Sequence, residues 1–368
     1  TTPFIGLSIG EIFQEAGIPD GVFNVINSRA NIAEHLIQHP DIEIVMFTGS
    51  VGIGKRVMQL ASQNLTKIVL ELGGKDPMIV LKDADIEKAA KGAVWGAFMN
   101  AGQSCVAVER VYVEEEIAEK FIAKVSEITK NLKTGNPLDS ETAIGPLTTK
   151  NQLETVEEHV EDAKSKGAKI LFGGERINEL PGYFYQPTVL TNVNHSMEIM
   201  TEETFGLVLP IMKVKNKEEA VKLANDSKYG LSASVWTKNK KIAARIAKKL
   251  QAGTITVNDV ISYWGEPAGL LTGVKNSGLG RSHGKFGLLE LVNIKFISID
   301  SSNRKTQLWW YPYNRKFFEM MKKSLDLFYS HRLNIKMKSL FSLLSHLERI
   351  KKGTSIWNLI KNWRKIIF

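Results

Sequence analysis

The chain has 368 residues, 43% hydrophobic and 24% charged, with a single cysteine and a net charge of +9. That length can bury a core of about two or three domains. One cysteine excludes an internal disulfide framework and points to a reducing compartment such as the cytoplasm. No apolar run approaches the roughly 18 residues that span a bilayer. No signal peptide is visible, and an opening at Thr1 instead of Met suits a fragment or a processed product. The charge is uneven: residues 301–368 hold fifteen Lys/Arg and three Asp/Glu, a balance of +12, so residues 1–300 sum to −3.

In chain order, IGEIFQEAG predicts a helix stopped at Gly17, GVFNVI a short buried strand, and ANIAEHLIQHP a helix halted by Pro40. IEIVMF predicts a strand, VGIGKRVMQLASQN a helix, and KIVLEL a strand running into Gly73 and Gly74. DADIEKAAKGAVWGAFMNAG follows as a helix capped by Asp83 or Asp85, with Gly102 just past its end. The alternation continues through ERVYVEE, a helix near 115–131, and LETVEEHVEDAKSKG. It resumes with VLPIMKVK, KEEAVKLANDS, IAARIAKKLQAG and TITVND. Strands alternating with helices imply parallel βαβ units.

FTGSVGIGKR places glycines between a strand and a helix, where free backbone N–H groups attract phosphate. Gly49, Gly54 and Lys55 fit the start of a P-loop, but Arg56 stands where Ser or Thr must hold magnesium, so a nucleoside triphosphatase is disfavoured. A tight turn without a ligand fits the same residues. Cys105 lies in NAGQSC, a small, polar turn after a helix where a thiolate could attack an electrophilic carbon. A lone cysteine is more often a small buried hydrophobe. Glu71 ends a strand, where α/β proteins place chemistry. Withdrawn from water it would be a base near neutral pH, and otherwise a solvated strand-end acid. Spacing alone decides neither.

FTGSVGIGK, ELGGKDP, NAGQSC, EETFG and VKNSGLGR, in this order and approximate spacing, resemble the aldehyde dehydrogenase superfamily from Thr1 to about Asp300. The resemblance implies an α/β, aldehyde dehydrogenase-like fold. Its parts would be a partial Rossmann-type dinucleotide-binding domain over 1–72 and an α/β catalytic domain over 73–274. A return segment and oligomerisation strand would follow over 275–300, and a basic amphipathic helical tail over 301–368. Cys105 matches the family nucleophile and Glu71 its general base. Gly49 and Ser50 match the pyrophosphate contact, Glu203 the ribose contact with Phe205 beside it, and Asn258 a position lining the aldehyde pocket.

The implied reaction oxidises an aldehyde to a carboxylic acid with NAD or NADP, through a cysteine thiohemiacetal and thioester, in a homo-oligomer. No metal is expected, since the seven histidines form no ligand cluster and Cys105 has no partner cysteine. The family extends much further at its N-terminus, where an oxyanion-hole Asn and a Lys-Pro-Ser-Glu-like stretch lie. The stretch helps choose NAD over NADP, so that choice is unreadable here. Leu207 stands where the family has proline, GLLTG where Pro-Phe-Gly-Gly is usual, and INSRANIAE lacks a glycine near the adenine. These departures motivate the alternative of a non-catalytic relic acting as a binding or assembly subunit.

Outside the resemblance, LWWYPYNRK concentrates aromatics, and four of the seven tryptophans lie in the tail. Met337, Leu340, Phe341, Leu344 and Leu347 follow helical spacing, as do Ile356, Leu359, Ile360, Trp363 and Ile367 beside Lys361, Arg364 and Lys365. A basic amphipathic helix with Trp on its apolar side suits peripheral attachment to an anionic membrane surface. Packing of the stripes on the body or on another subunit carries equal weight. Nucleic acid ranks third, without a fold to support it.

Overall fold

The structure is a computed structural model that describes residues 2–301, 305, 307, 310–311 and 313–348. Thr1–Ile294 form one compact unit and Lys295–Phe368 another.

The first unit opens with α1 (Pro3–Glu15), whose proline sits in the first turn where its missing N–H costs nothing. Gly17, at φ +81°, follows it. After α2 (Ala30–Ile37), β1 (Ile44–Thr48), α3 (Val51–Ala61) and β2 (Lys67–Glu71) form a parallel βαβ unit that pairs Thr48 with Glu71. Val57 of α3 packs with Leu70 and Leu72 to make a small core of its own.

GVFNVI forms no strand, which corrects the expectation of a buried one. Its backbone joins neither sheet, and Val22, Phe23 and Ile26 are exposed. An apolar run needs a ladder partner to become a strand, and none of the described residues supplies one.

The second sheet begins with β3 (Asp76–Val80), a strand hidden in the sequence because it follows β2 after only four residues. Next come α4 (Ile86–Phe98), capped by Asp85 and not Asp83, β4 (Val108–Glu114), α5 (Glu115–Lys130) and α6 (Lys150–Ser165). They are followed by β5 (Lys169–Phe172), β6 (Thr188–Thr191), α7 (Glu198–Thr201), β7 (Val208–Val214), α8 (Lys217–Asn225), β8 (Ser232–Trp236), α9 (Lys240–Ala247) and β9 (Thr254–Val257).

The strand order is β5-β6-β7-β4-β3-β8-β9, parallel throughout except for β5 against β6. Helices cover this sheet, so β3, β4 and β8 are buried along their whole length, as parallel strands require. The main core lies here. The chain then returns to the first sheet as β10 (Gly278–Leu279), antiparallel to β2, and continues into α10 (Gly284–Glu290). Residues 293–300 form no strand, and Ile294, Phe296, Ile297 and Ile299 are exposed.

In the second unit α11 (Arg315–Tyr329) packs against α12 (Leu333–Glu348). The first apolar stripe of the tail therefore lies on a helix. The second, from Ile356 onward, lies outside the described residues. Among the described residues no helix is long and apolar enough to cross a membrane.

Candidate active site

Glu71 ends the middle strand of the smaller sheet, held by Thr48 of β1 on one side and Gly278 of β10 on the other. Three hydrogen bonds tie down the backbone around it. Gly49 N–H donates to the Glu71 carbonyl at 3.1 Å, Leu72 N–H to the Ser277 carbonyl at 2.9 Å, and the Ser277 hydroxyl to the Gly73 carbonyl at 2.7 Å. Ser277 is fully buried, which explains a serine in VKNSGLGR that the sequence alone left without a role. The Glu71 side chain is buried, and its Oε1 accepts the Ser282 hydroxyl at 2.9 Å. Ser282 is itself fixed by a two-way backbone bridge to Leu271 in GLLTG. Burial raises the Glu71 pKa, against the opposing effects of the Ser282 hydrogen bond and of His283.

The turn carrying Cys105 is built from left-handed backbone: Asn100 at φ 51°, Ala101 at 56° and Gly102 at 71°. Side chains brace it. Asn100 Nδ2 donates to the Gln103 carbonyl at 2.9 Å, and Gln103 Oε1 accepts from Thr148 N–H at 2.8 Å. A Cβ on Gly102 would lie 2.2 Å from the Gly206 carbonyl oxygen, so only glycine lets the turn settle on that segment. Cys105 is half-buried, and its carbonyl oxygen would lie 2.3 Å from a Cβ on Gly74. The strand end bearing Glu71 and the turn bearing Cys105 therefore touch backbone to backbone. Burial pushes the thiol up to about 12, and the carboxylates of Asp76, Glu203 and Glu71 add to the shift in that order. Its own backbone N–H acts in the opposite direction.

Glu203 closes over the two glycines. Its Oε1 accepts from Gly74 N–H at 3.1 Å, and a Cβ on Gly73 would stand 2.2 Å from its Oε2. Burial, and then the charge of Glu109, raise its pKa to about 7. Asp76, fully buried, accepts from Ser232 N–H at 3.0 Å and Ser232 Oγ at 2.5 Å, and burial lifts it to about 8. Phe205 follows Glu203 with φ at 50°, an uncommon value for a bulky side chain.

Beneath this layer lies a buried network that sequence reasoning missed. Lys75 Nζ meets Glu109 Oε2 at 2.6 Å, and Arg110 Nε donates to the Lys75 carbonyl at 2.8 Å. A lysine after two glycines and an acid in a strand carry no local mark of pairing across 34 residues; only the side-by-side placement of β3 and β4 brings them together.

Ser50 caps α3, its Oγ accepting from Ile53 N–H at 3.4 Å. Gly49 precedes the cap and connects it to the Glu71 carbonyl. Asn258, at φ 56°, spends its amide on Thr237, with Oδ1 accepting from the backbone N–H and Nδ2 donating to the carbonyl, both at 2.9 Å. It ties the end of β9 to the end of β8, and both ends of its amide are committed to backbone. A groove of about 940 Å³ is lined by Met46, Ser282, His283 and Leu288. It reaches Glu71 only through Ser282 and includes neither Cys105 nor Glu203, so its size does not mark the place where the reactive groups meet. Among the described residues no three His, Cys, Asp or Glu side chains group as metal ligands would.

The frame thus carries a buried strand-end carboxylate, a thiol on a braced turn and a capped helix. The aldehyde dehydrogenase family model matches residues 1–297, and the chain belongs to that family. It is 40% identical over 301 residues to a betaine aldehyde dehydrogenase of Bacillus subtilis, covering 80% of this chain and 61% of the relative. It is also 40% identical over 304 residues to a mitochondrial succinate-semialdehyde dehydrogenase of Oryza sativa, covering 82% and 57%. An NAD-dependent aldehyde dehydrogenase from Sinorhizobium meliloti superposes with a TM-score of 0.81 at 38% identity, covering 84% of this chain and 61% of that one. The chain thus spans about three fifths of the length of the curated relatives it matches.

Proposed function

We propose that this chain carries the chemical centre of an NAD(P)-dependent aldehyde dehydrogenase working through a covalent intermediate on Cys105. The supporting observation is that the glycine segment leaving Glu71 packs against Cys105 at Gly74, close enough for the Glu71 charge to act on the thiol. The Cys105 thiol, pushed up by burial, gives its proton to solvent as it attacks, and Glu71 is the base we assign to the later hydrolytic step. Cys105 Sγ then bonds to the aldehyde carbon, and the Cys105 N–H is a donor for the oxygen that becomes negative.

The residues present fit a dinucleotide. The first turn of α3 leaves backbone N–H groups without helical partners, and a Cβ on Gly52 would meet nothing within 4 Å, so phosphate can approach. We place the pyrophosphate at Gly49 and Ser50 and the nicotinamide ribose at Glu203 beside Phe205, which makes β1–α3–β2 the cofactor-binding part. Bound there, NAD(P)+ would supply the hydride acceptor needed for the thiohemiacetal on Cys105 to become a thioester. Glu71 then takes a proton from water. The hydroxide attacks the thioester carbon, the C–S bond breaks, the acid departs, and the proton returns to Cys105.

The matched proteins include betaine aldehyde, succinate-semialdehyde and lactaldehyde dehydrogenases, so the substrate is assigned as an aldehyde with no choice among these. Cys105→Ala should abolish aldehyde-dependent reduction of NAD(P)+, and substantial residual turnover would contradict the reading. The exposed Ile294, Phe296, Ile297 and Ile299 are offered as the contact of a homo-oligomer.

For the tail, the supporting observation is that α11 and α12 leave Phe318, Leu325, Leu333 and Phe341 exposed on a segment of net charge +12. We assign it to an anionic membrane surface, where each Lys or Arg contributes about 1 kcal/mol. Deleting residues 301–368 should abolish sedimentation with anionic vesicles at low salt. Equal sedimentation of the shortened chain would refute the assignment.

A further inference from the structure

We infer that Glu109 is a positioning residue that holds Glu203 over the Gly73–Gly74 turn. The inference rests on the reading of Glu203 as the cofactor contact, and it concerns a residue that touches neither cofactor nor substrate.

Glu109 projects from β4 into the interior, with its side chain 5% exposed. Its carboxylate accepts three hydrogen bonds: Oε2 from Lys75 Nζ at 2.6 Å and Thr204 N–H at 2.8 Å, and Oε1 from Phe205 N–H at 2.9 Å. Two of the donors are consecutive amides directly after Glu203. An ionised carboxylate gripping two successive N–H groups fixes the direction of the chain there, and charge-assisted bonds of this kind are the strong ones. Lys75 balances the charge and donates a second bond to Thr204 Oγ1 at 3.1 Å.

The segment needs such a hold. Phe205 sits at φ 50°, where a bulky residue goes only under constraint. Thr204 is buried, its hydroxyl also meets His159 Nδ1 at 3.1 Å, and its carbonyl accepts from Gln152 Nε2 at 2.7 Å. These contacts surround Thr204, but only Glu109 bonds both amides. Glu203 leaves this clamp and reaches Gly74 N–H, so its one backbone contact depends on where residues 204 and 205 are held. Lys75 belongs to both sides of the contact: it follows Gly74 in the chain and pairs with Glu109 in space. The ion pair thus couples the turn that receives Glu203 to the segment that presents it.

The Gly74 amide provides a readout separate from activity, because Glu203 accepts it and Glu109 does not. Hydrogen exchange would be followed in the full chain for Glu109→Gln, with Val111 in β4 as the internal control. If Glu109 acts through Glu203, the Gly74 amide should exchange at least tenfold faster while Val111 is unchanged. Dinucleotide affinity, measured by calorimetry without aldehyde, should fall at least tenfold. The double variant Glu109→Gln/Glu203→Gln should bind no more weakly than Glu203→Gln alone. A residue that merely stabilised the core would make the two losses add.

Unchanged Gly74 exchange, or additive losses, would overturn the inference. If the wild-type protein bound no dinucleotide, the cofactor reading would fail instead, and the exchange result would still decide whether Glu109 positions Glu203. Should Glu109→Gln fail to fold, Lys75→Met/Glu109→Gln removes both charges together, and the same exchange comparison applies.

Discussion

Two glycine turns follow two neighbouring parallel strands, and they serve opposite purposes. Gly49 after β1 opens toward solvent and starts a helix, whereas Gly73 and Gly74 after β2 lie buried under Glu203 and against Cys105. None of the three has positive φ, so space and not backbone conformation explains each glycine. At Gly49 the obstacle to a Cβ is the Phe47 ring at 2.5 Å, a side chain that can rotate away. At Gly74 it is the backbone oxygen of Cys105 at 2.3 Å, which cannot move without carrying the thiol with it. The exposed turn suits a ligand that arrives, and the buried turn suits groups that must already be in place.

The largest effect should come from Gly74→Ala. Displacing the Cys105 backbone by about 1 Å is expected to lower turnover by roughly 10²-fold. Wild-type turnover in this variant would break the contrast between the turns. Gly73→Ala meets the Glu203 carboxylate and not backbone, so it should weaken dinucleotide binding by about tenfold, or about 1.4 kcal/mol. The rate of Cys105 alkylation should stay unchanged, and a matching loss there would erase the distinction between the two glycines.

The buried turn should also leave a pH signature. Asp76 ionises near 3.8 in an ordinary setting but is held protonated to about 8 in the fold. Between these values the folded chain keeps a proton that the unfolded chain has released, so Asp76 makes stability fall as pH rises. Urea midpoints measured across that range should decline, and Asp76→Asn should flatten the decline. An equally steep decline in the variant would remove Asp76 as its source.

At the exposed turn the effects are small. Ser50→Ala should cost about 1 kcal/mol through the lost helix cap. Gly52→Ala, with open space around it, should gain about 0.5–1 kcal/mol by reducing the freedom of the unfolded chain. A loss of stability of about 1 kcal/mol or more at Gly52 would show that the first turn is packed after all.

Local pattern made only part of the candidate site legible. A strand running into two glycines and a polar turn after α4 raised Glu71 and Cys105 as candidates, while their roles and the choice of Ser50 came only with the family resemblance. Their partners were not legible. Ser282 lies 211 residues from Glu71, and Glu109 lies 95 and 96 residues from the amides it grips. Pairings of this range exist only once the sheet order is set. GVFNVI failed for the reverse reason, since its composition suits a strand but no ladder partner is beside it. Asn258 came from the resemblance alone, as a position lining the aldehyde pocket. Its engagement with Thr237 was not legible, because it depends on β8 and β9 ending side by side.

The central claim is that Cys105 and Glu71 act in sequence on one carbon. It is tested most directly by intact-protein mass spectrometry of Glu71→Gln mixed with an aldehyde and NAD(P)+. The account predicts an acyl adduct that accumulates on Cys105 because water is no longer activated, and that is absent when Cys105→Ala is added. No adduct, or one that survives the loss of Cys105, would contradict it.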